Sequence, residues 1–253
     1  MLKFKGFQNS KVNIYVSEFT DKNMSPNHSS CAAENKNLLY KNLNLELPNI
    51  YLNNNSHSNN LTYKSGKNFK LYCNKPLALI KSEQFFTGSD GIITNDKDLT
   101  LGTLTADCIP LYIYDLDLKF FGVIHIGVIA AVNNIVKNIK KFCIDNNFDI
   151  NNTVCEFGAH IHYPNFDVSK SFLWKENIKP FILNKFDSYI DKHNKFKFKQ
   201  LVSDQLIEIG INKKNINCLE LDTYKDERFF SHSRFKNGDG ENGRIINLIN
   251  IIN

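Results

Sequence analysis

Thr105-Ala106-Asp107-Cys108-Ile109-Pro110, followed by His125-Ile126-Gly127, places a thiol and an imidazole seventeen residues apart at the ends of two apolar runs. Residues 99–104 (LTLGTL) lead into the first, and residues 120–124 (FFGVI) lead into the second. Apolar runs this short, ended by polar residues, read as buried strands. Residues 115–119 (DLDLK) supply the turn of a hairpin. Two adjacent strands therefore deliver Cys108 and His125 to one place. A Cys–His pair in that setting is a small hydrophobe beside a core histidine, a metal site, or a nucleophile with its base.

The flanking sequence alternates irregularly between strand and helix patterns. Strands are expected at 11–16 (KVNIYV), 48–52 (PNIYL), 76–81, 91–94, 155–157, 218–221 and 243–252. Residues 32–45 have helical spacing with Leu38, Leu39 and Leu43 on one face. Residues 129–143 read as one amphipathic helix with Val132, Ile135, Val136 and Ile139 inward. Residues 196–209 read as a further helix, stopped by Gly210. Ser89-Asp90-Gly91 is a turn, and residues 53–60 are an Asn-rich loop. Several strands in close succession favour a layered, mixed-sheet α/β fold over a regular doubly wound sheet. With no repeat and no linker, one domain over residues 1–253 is expected.

Composition narrows the function. Hydrophobic residues at 42% suffice for a core, and charged residues at 23% are ordinary for a globular chain. The net charge of +5 comes with lysine scattered among Asn and Ile, as at 133–141 and 192–199. That is the mixture of an AT-rich genome. It forms no basic stripe with interleaved aromatics, so a nucleic-acid partner is not expected. The six cysteines (31, 73, 108, 143, 155, 218) contain no C-x-x-C pair. The first residues lack a signal-peptide core, and no run is long enough to span a membrane. Free thiols, a cytoplasmic location and no membrane partner are the expectation.

His57 ends the segment Tyr51-Leu52-Asn53-Asn54-Asn55-Ser56 and is a natural third ligand. Two imidazoles and a thiolate fill three of zinc's four positions and leave one open, the pattern of a catalytic site. Asp107 and Asp90 are the carboxylates placed to support the ligands or move protons.

These segments resemble the YfiH-like laccase-domain family. Residues 51–59 are similar to its L-N-Q-V-H-(G/S) segment, and residues 89–94 to A-D-(A/G)-x-(V/I)-T. Residues 105–110 match T-A-D-C-x-P, and His125-Ile126-Gly127 stands where H-A-G-W-(R/K)-G is expected. Phe229-Phe230-Ser231-His232-Ser233-Arg234, with Gly243-Arg244, resembles F-F-S-x-R-R…G-R. The similarity runs from about residue 34 to 252, so the amino-terminal 33 residues are divergent. Members were once described as multicopper polyphenol oxidases. They are now linked to purine nucleoside phosphorylase, adenosine deaminase and methylthioadenosine phosphorylase activities, and some are called peptidoglycan editing factors.

The resemblance implies a single-domain YfiH-like α/β fold and a metal, usually zinc, on His57, Cys108 and His125. It implies phosphorolysis or deamination of a purine nucleoside by phosphate or water. Cys108, Asp107 and Asp90 would then be the catalytic group, with Arg234, Arg244 and His232 binding substrate and phosphate. Copper is less expected, since seven histidines spread along the chain do not form the several clusters a multicopper site needs. A monomer or small homo-oligomer is expected.

Departures from the family pattern bear on activity. Val128-Ile129 replaces the expected Trp-Arg, and Ser233 replaces one Arg. A lost charge-assisted hydrogen bond costs about 1.5–3 kcal/mol, so phosphorolysis is weakened more than metal binding. The alternatives are a degenerate metal-binding member, a peptidoglycan editing role, or a metal-free cysteine hydrolase built on Cys108 and His125. His160 and His162 share one face of a strand-like segment. They either extend the metal site or replace lost cations.

Overall fold

The computed structural model describes residues 1–46, 49–54, 60–65, 68–72, 81–82, 85–87, 89–170 and 186–252. Within them two seven-stranded mixed sheets stand face to face. The first has the order β1 (Leu2–Gly6), β2 (Asn9–Val16), β14 (Ile245–Ile251), β9 (Thr100–Thr105), β3 (Ile50–Asn54), β7 (Phe85–Thr87), β6 (Lys81–Ser82). The second has the order β13 (Ile216–Cys218), β12 (Thr153–Phe157), β10 (Ile109–Asp115), β11 (Phe121–Ile126), β8 (Gly91–Thr94), β4 (Leu61–Ser65), β5 (Asn68–Tyr72). The expected mixed-sheet layered α/β architecture is what forms.

Side chains alternate across each strand, and both faces are apolar, which is why the strands read as unbroken hydrophobic runs. Ile245, Ile249 and Ile251 of β14 point between the sheets and meet Tyr112, Tyr114, Phe121 and Val123. Ile246 and Leu248 point outward to Leu39 and Tyr40 of helix α1 (Ala32–Asn42). On the far side of the second sheet, Leu111, Ile113, Ile124 and Ile126 are covered by three helices. These are α2 (Val128–Val132), α3 (Lys137–Asp145) and α4 (Phe198–Ile209). Helix, sheet, sheet and helix thus form four layers around three apolar clusters.

Three local expectations need correction. In α1 the inward stripe is Ala32, Lys36, Leu39 and Tyr40, while Leu38 is 59% exposed. Leu38 falls off the 3.6-residue stripe that these four follow. The helix expected over 129–143 is two helices, because Asn134 turns left-handed (φ 56°) between them. Its four inward residues are nonetheless all buried. The strand expected at 218–221 lies at Ile216–Cys218 and is followed by left-handed Glu220 (φ 52°). Gly210 does end α4, with φ 111°. The sequence pattern did not mark β1, β4, β5 or the short α5 (His232–Lys236). His57, Cys73, residues 76–80 and residues 171–185 lie outside the described residues.

Candidate metal centre and substrate cavity

Residues 105–109 carry the chain from one sheet to the other. β9 ends at Thr105 in the first sheet and β10 begins at Ile109 in the second. The run at 99–104 is therefore not a strand partner of β11 but faces it from the other sheet. Cys108 reaches His125 because β10 and β11 form an antiparallel hairpin with Pro110 opposite His125. The crossing is fixed on both sides. Buried Asn247 donates to Thr105 Oγ1 (2.9 Å) and accepts from Tyr112 OH (3.2 Å), joining the two sheets at that point.

At the corner Asp107 has φ 84°, a conformation L-residues seldom adopt unless surrounding contacts hold it. Here they do. Its carbonyl accepts from Ile161 N (3.0 Å). Its carboxylate accepts from Thr223 Oγ1 (2.8 Å) and from Ser233 N (2.6 Å). Asp107 thus ties the Cys108 corner to the segments at Ile161 and Thr223 and to the first turn of α5. Both carboxylate oxygens have partners in that tie, which makes Asp107 foremost a positioning residue.

Asp90 is fully buried, and its Oδ1 meets His125 Nδ1 at 2.9 Å. Its carbonyl also accepts from His125 N (2.6 Å), and its own N donates to Asn60 O (2.9 Å). The ring is therefore held from behind, and the Cys108 sulfur is within hydrogen-bonding reach of it. Burial alone would push the His125 pKa down. The Cys108 sulfur and the Asp90 carboxylate outweigh it and raise the pKa to about 9. A histidine whose second nitrogen is held by a carboxylate is a common metal-ligand arrangement. Cys108 and His125, with Asp90 behind, fit a zinc ion in donor type and orientation.

Cys108 opens onto a cavity of about 610 Å³. Val128 and Ile129, the residues that replace the expected Trp-Arg, form an aliphatic part of its wall. Phe166 and Phe198 add an aromatic part, their ring centroids 5.6 Å apart. Phe166 begins the Phe166-Asp167-Val168 segment that stands for the family's Tyr-Glu-Val, whereas nothing in the sequence marks Phe198, which helix packing brings here. Lys170, Lys195 and Lys236 also line the cavity. Lys195 pairs with Asp167 (3.1 Å) and Lys170 donates to Asn237 (2.9 Å).

The two expected arginines differ in role. Arg234 Nη1 donates to the carbonyls of Thr223 (3.1 Å) and Tyr224 (3.0 Å), and Nη2 donates to Phe229 O. Those donors are committed to the 223–229 loop and taken away from an anionic ligand. Arg244 lies deeper. Burial lowers its pKa while Cys108 and Asp107 raise it, which places its guanidinium in their field. Gly243 before it is required by packing, since a Cβ there would strike the Phe230 ring. Phe229 and Phe230 are buried in the inter-sheet core, and Ser231 Oγ caps α5 by accepting from Arg234 N (3.1 Å). This anchors His232 at the cavity wall. Burial, then Arg244, lowers the His232 pKa. Its Nδ1 is buried without a partner among the described residues.

A family model described as multi-copper polyphenol oxidoreductase laccase matches residues 13–252, reaching further toward the amino terminus than the motifs do. A purine nucleoside phosphorylase of Rickettsia prowazekii is 32% identical over 151 residues, covering 58% of this chain and 60% of that one. Another, of Campylobacter jejuni, is 29% identical over 151 residues, covering 58% and 62%. The chain thus spans about three fifths of the length of these curated relatives. The YfiH protein of Bacillus licheniformis superposes with a TM-score of 0.74 at 17% identity, covering 95% of this chain and 92% of that one. YlmD of Geobacillus stearothermophilus gives 0.71 at 17% identity, covering 91% and 85%. No helix among the described residues is long and apolar enough to cross a membrane.

Proposed function

From the premise that this chain belongs to the laccase-domain family whose model spans residues 13–252, we propose that it is a zinc-dependent purine nucleoside phosphorylase. The observation that carries the reading is the meeting of an Asp90-backed His125 with Cys108 at the mouth of an apolar-walled, lysine-rimmed cavity. The names of the relatives support the substrate class. His57, outside the described residues, would complete the ligand set with Cys108 and His125. Bound there, zinc would supply Lewis-acid polarisation of an oxygen at the reacting centre.

The chain's own residues do the rest. Phe166 and Ile129 give a purine ring an apolar face, and Asn165 offers it hydrogen bonds from the same wall. Arg244 and Lys236 hold phosphate, with Lys170 and Lys195 drawing anions to the rim. In phosphorolysis a phosphate oxygen bonds to the ribosyl C1′, the bond from C1′ to the purine nitrogen breaks, and its electron pair leaves with the base. The departing base takes a proton. The attacking dihydrogen phosphate brings that proton, and His232, its pKa lowered by burial and by Arg244, is the cavity base placed to relay it. Asp107 holds the Cys108 corner and Asp90 holds His125. Residues 1–253 act as one unit in a reducing, cytoplasmic setting.

The test is product analysis on zinc-loaded protein given adenosine or inosine, with and without phosphate. Release of free base together with a pentose 1-phosphate, dependent on phosphate, is the expected result. Inosine formed from adenosine regardless of phosphate would replace phosphorolysis by deamination. Absence of both would turn the reading toward a cell-wall precursor or a non-catalytic member.

A further inference from the structure

A second group of soft donors lies apart from the Cys108 corner. His160 is fully buried, and its Nδ1 bonds to the carbonyl of Gly158 at 2.7 Å. A carbonyl only accepts, so Nδ1 carries the proton and Nε2 presents a lone pair. That Nε2 is buried and has no partner among the described residues, and the Nε2 of His162 is in the same state. The two rings are 4.5 Å apart between centroids. Cys218, at the end of edge strand β13, completes the group. The donor atoms of His160, His162 and Cys218 all lie within 4.8 Å of one another.

A buried lone pair aimed at nothing is costly, and native structures rarely leave one so. Here two such lone pairs converge on the Cys218 sulfur, which accepts from Glu220 N (3.4 Å) and lies within hydrogen-bonding reach of Lys199. We infer that His160, His162 and Cys218 form a second metal site, selective for a borderline-soft divalent cation such as zinc and separate from the site at Cys108 and His125. The donor set of two imidazoles and one thiolate is typical of zinc. A zinc ion at about 2.0–2.1 Å from nitrogen and about 2.3 Å from sulfur asks these atoms to draw in slightly. His162 and Cys218, which are only partly buried, have room to do so. The carbonyl behind His160 is the kind of outer partner that metal-bound histidines keep.

The charged groups around the two sites differ. His125 is influenced by Cys108 and Asp90, whereas His160 is influenced by Lys199 and Glu220, and His162 by Asp222, Lys199, Glu220 and Lys225. Glu220 Oε2 stands 4.0 Å from His162 Nδ1, and Lys199 Nζ bonds to Glu220 Oε1 at 2.9 Å. Glu220 thus stands on the Nδ1 side of His162, behind the ring, while Lys199 is the cation the metal must face.

The position suggests a structural staple. His160 N donates to Leu221 O (3.1 Å) and Thr223 N donates to His160 O (3.0 Å). The bridged segment carries Thr223, which holds Asp107. A metal here would clamp the edge of the second sheet to the loop that fixes the Cys108 corner.

The test uses the full chain, stripped with a chelator, in a Cys108→Ser background. Zinc is titrated against a chromophoric competitor, and cobalt(II) is read by its thiolate charge-transfer band. One tight zinc per chain, a cobalt–thiolate band and a higher melting temperature with zinc are expected. Adding Cys218→Ser should abolish the band and weaken binding at least tenfold. His162→Ala, at a partly exposed position, should weaken binding likewise with an unchanged circular dichroism spectrum. In the otherwise wild-type chain, Cys218→Ser should lower zinc content by one while turnover remains. If Cys108→Ser protein binds no zinc, or keeps its cobalt–thiolate band after Cys218→Ser, the second site does not exist. Failure of the phosphorylase reading leaves these results unchanged, because the Cys108 ligand is already absent.

Discussion

His125 and His160 are equally buried, each stands close to a cysteine, and each has Nδ1 held by an oxygen. The oxygen differs. Behind His125 it belongs to the Asp90 carboxylate, and the ring pKa rises to about 9. Behind His160 it belongs to the Gly158 carbonyl, and burial drives the pKa down to about 3. What stands behind an imidazole sets its charge as firmly as burial does. A carboxylate-backed ring is a more basic ligand, suited to a site where charge changes during reaction. A carbonyl-backed ring stays neutral and suits a permanent structural bond.

The most severe way to break this comparison is to remove the sulfur from the reactive corner. Cys108→Ala should reduce nucleoside turnover to background while leaving the melting temperature of the metal-free protein within a few degrees. Asp90→Asn keeps the hydrogen bond and removes the charge. It should weaken metal binding at the His125 corner by about 10–100-fold, as measured by chelator competition, and leave zinc at His160 in place. Equal weakening at both corners would erase the distinction drawn between them.

The arginines sharpen the picture at smaller scale. Arg244→Met should raise the phosphate KM by about ten- to a hundredfold, the value of one charge-assisted contact of about 1.5–3 kcal/mol, with little change in kcat. Arg234→Met should instead lower stability by about 1.5–3 kcal/mol in urea unfolding, since its donors hold the 223–229 loop, and should shift the phosphate KM less than Arg244→Met does.

The last comparison is of pH on the metal-free protein, where the corners should oppose each other. His125 has a native pKa above its unfolded value of 6.5, so its contribution is full below about 6.5 and is lost as pH rises through about 9. His160 has a native pKa below its unfolded value. The unfolded chain binds the proton first, and stability falls as pH drops from about 6.5 toward 3. Urea midpoints across pH for Asp90→Asn and His160→Gln should each flatten one limb only.

Much of the Cys108 corner is legible in the sequence because it is local. The hairpin from Ile109 to Ile126 is two apolar runs around an Asp-rich turn, and Asp90 sits in a Ser-Asp-Gly turn one strand away. The cavity wall is not local. Phe166, Phe198 and Lys236 come from three elements whose meeting depends on packing, and no spacing along the chain signals it. Cys218 is equally remote from His160, so the pair of histidines reads as a pair without its thiol. Arg234 reads as a substrate cation because motif similarity gives residue type but not the direction of its donors. In α1, Leu38 looks inward by composition, and only the register of Ala32, Lys36, Leu39 and Tyr40 excludes it.

The central claim is that Cys108 and His125 hold a metal that nucleoside cleavage requires. The most direct measurement is zinc per chain by mass spectrometry beside phosphate-dependent release of base from inosine and adenosine, for wild type and Cys108→Ala prepared together. Loss in the variant of one zinc and of all turnover is the result this account predicts. Turnover surviving in Cys108→Ala, or equal zinc at equal activity in both proteins, would contradict it.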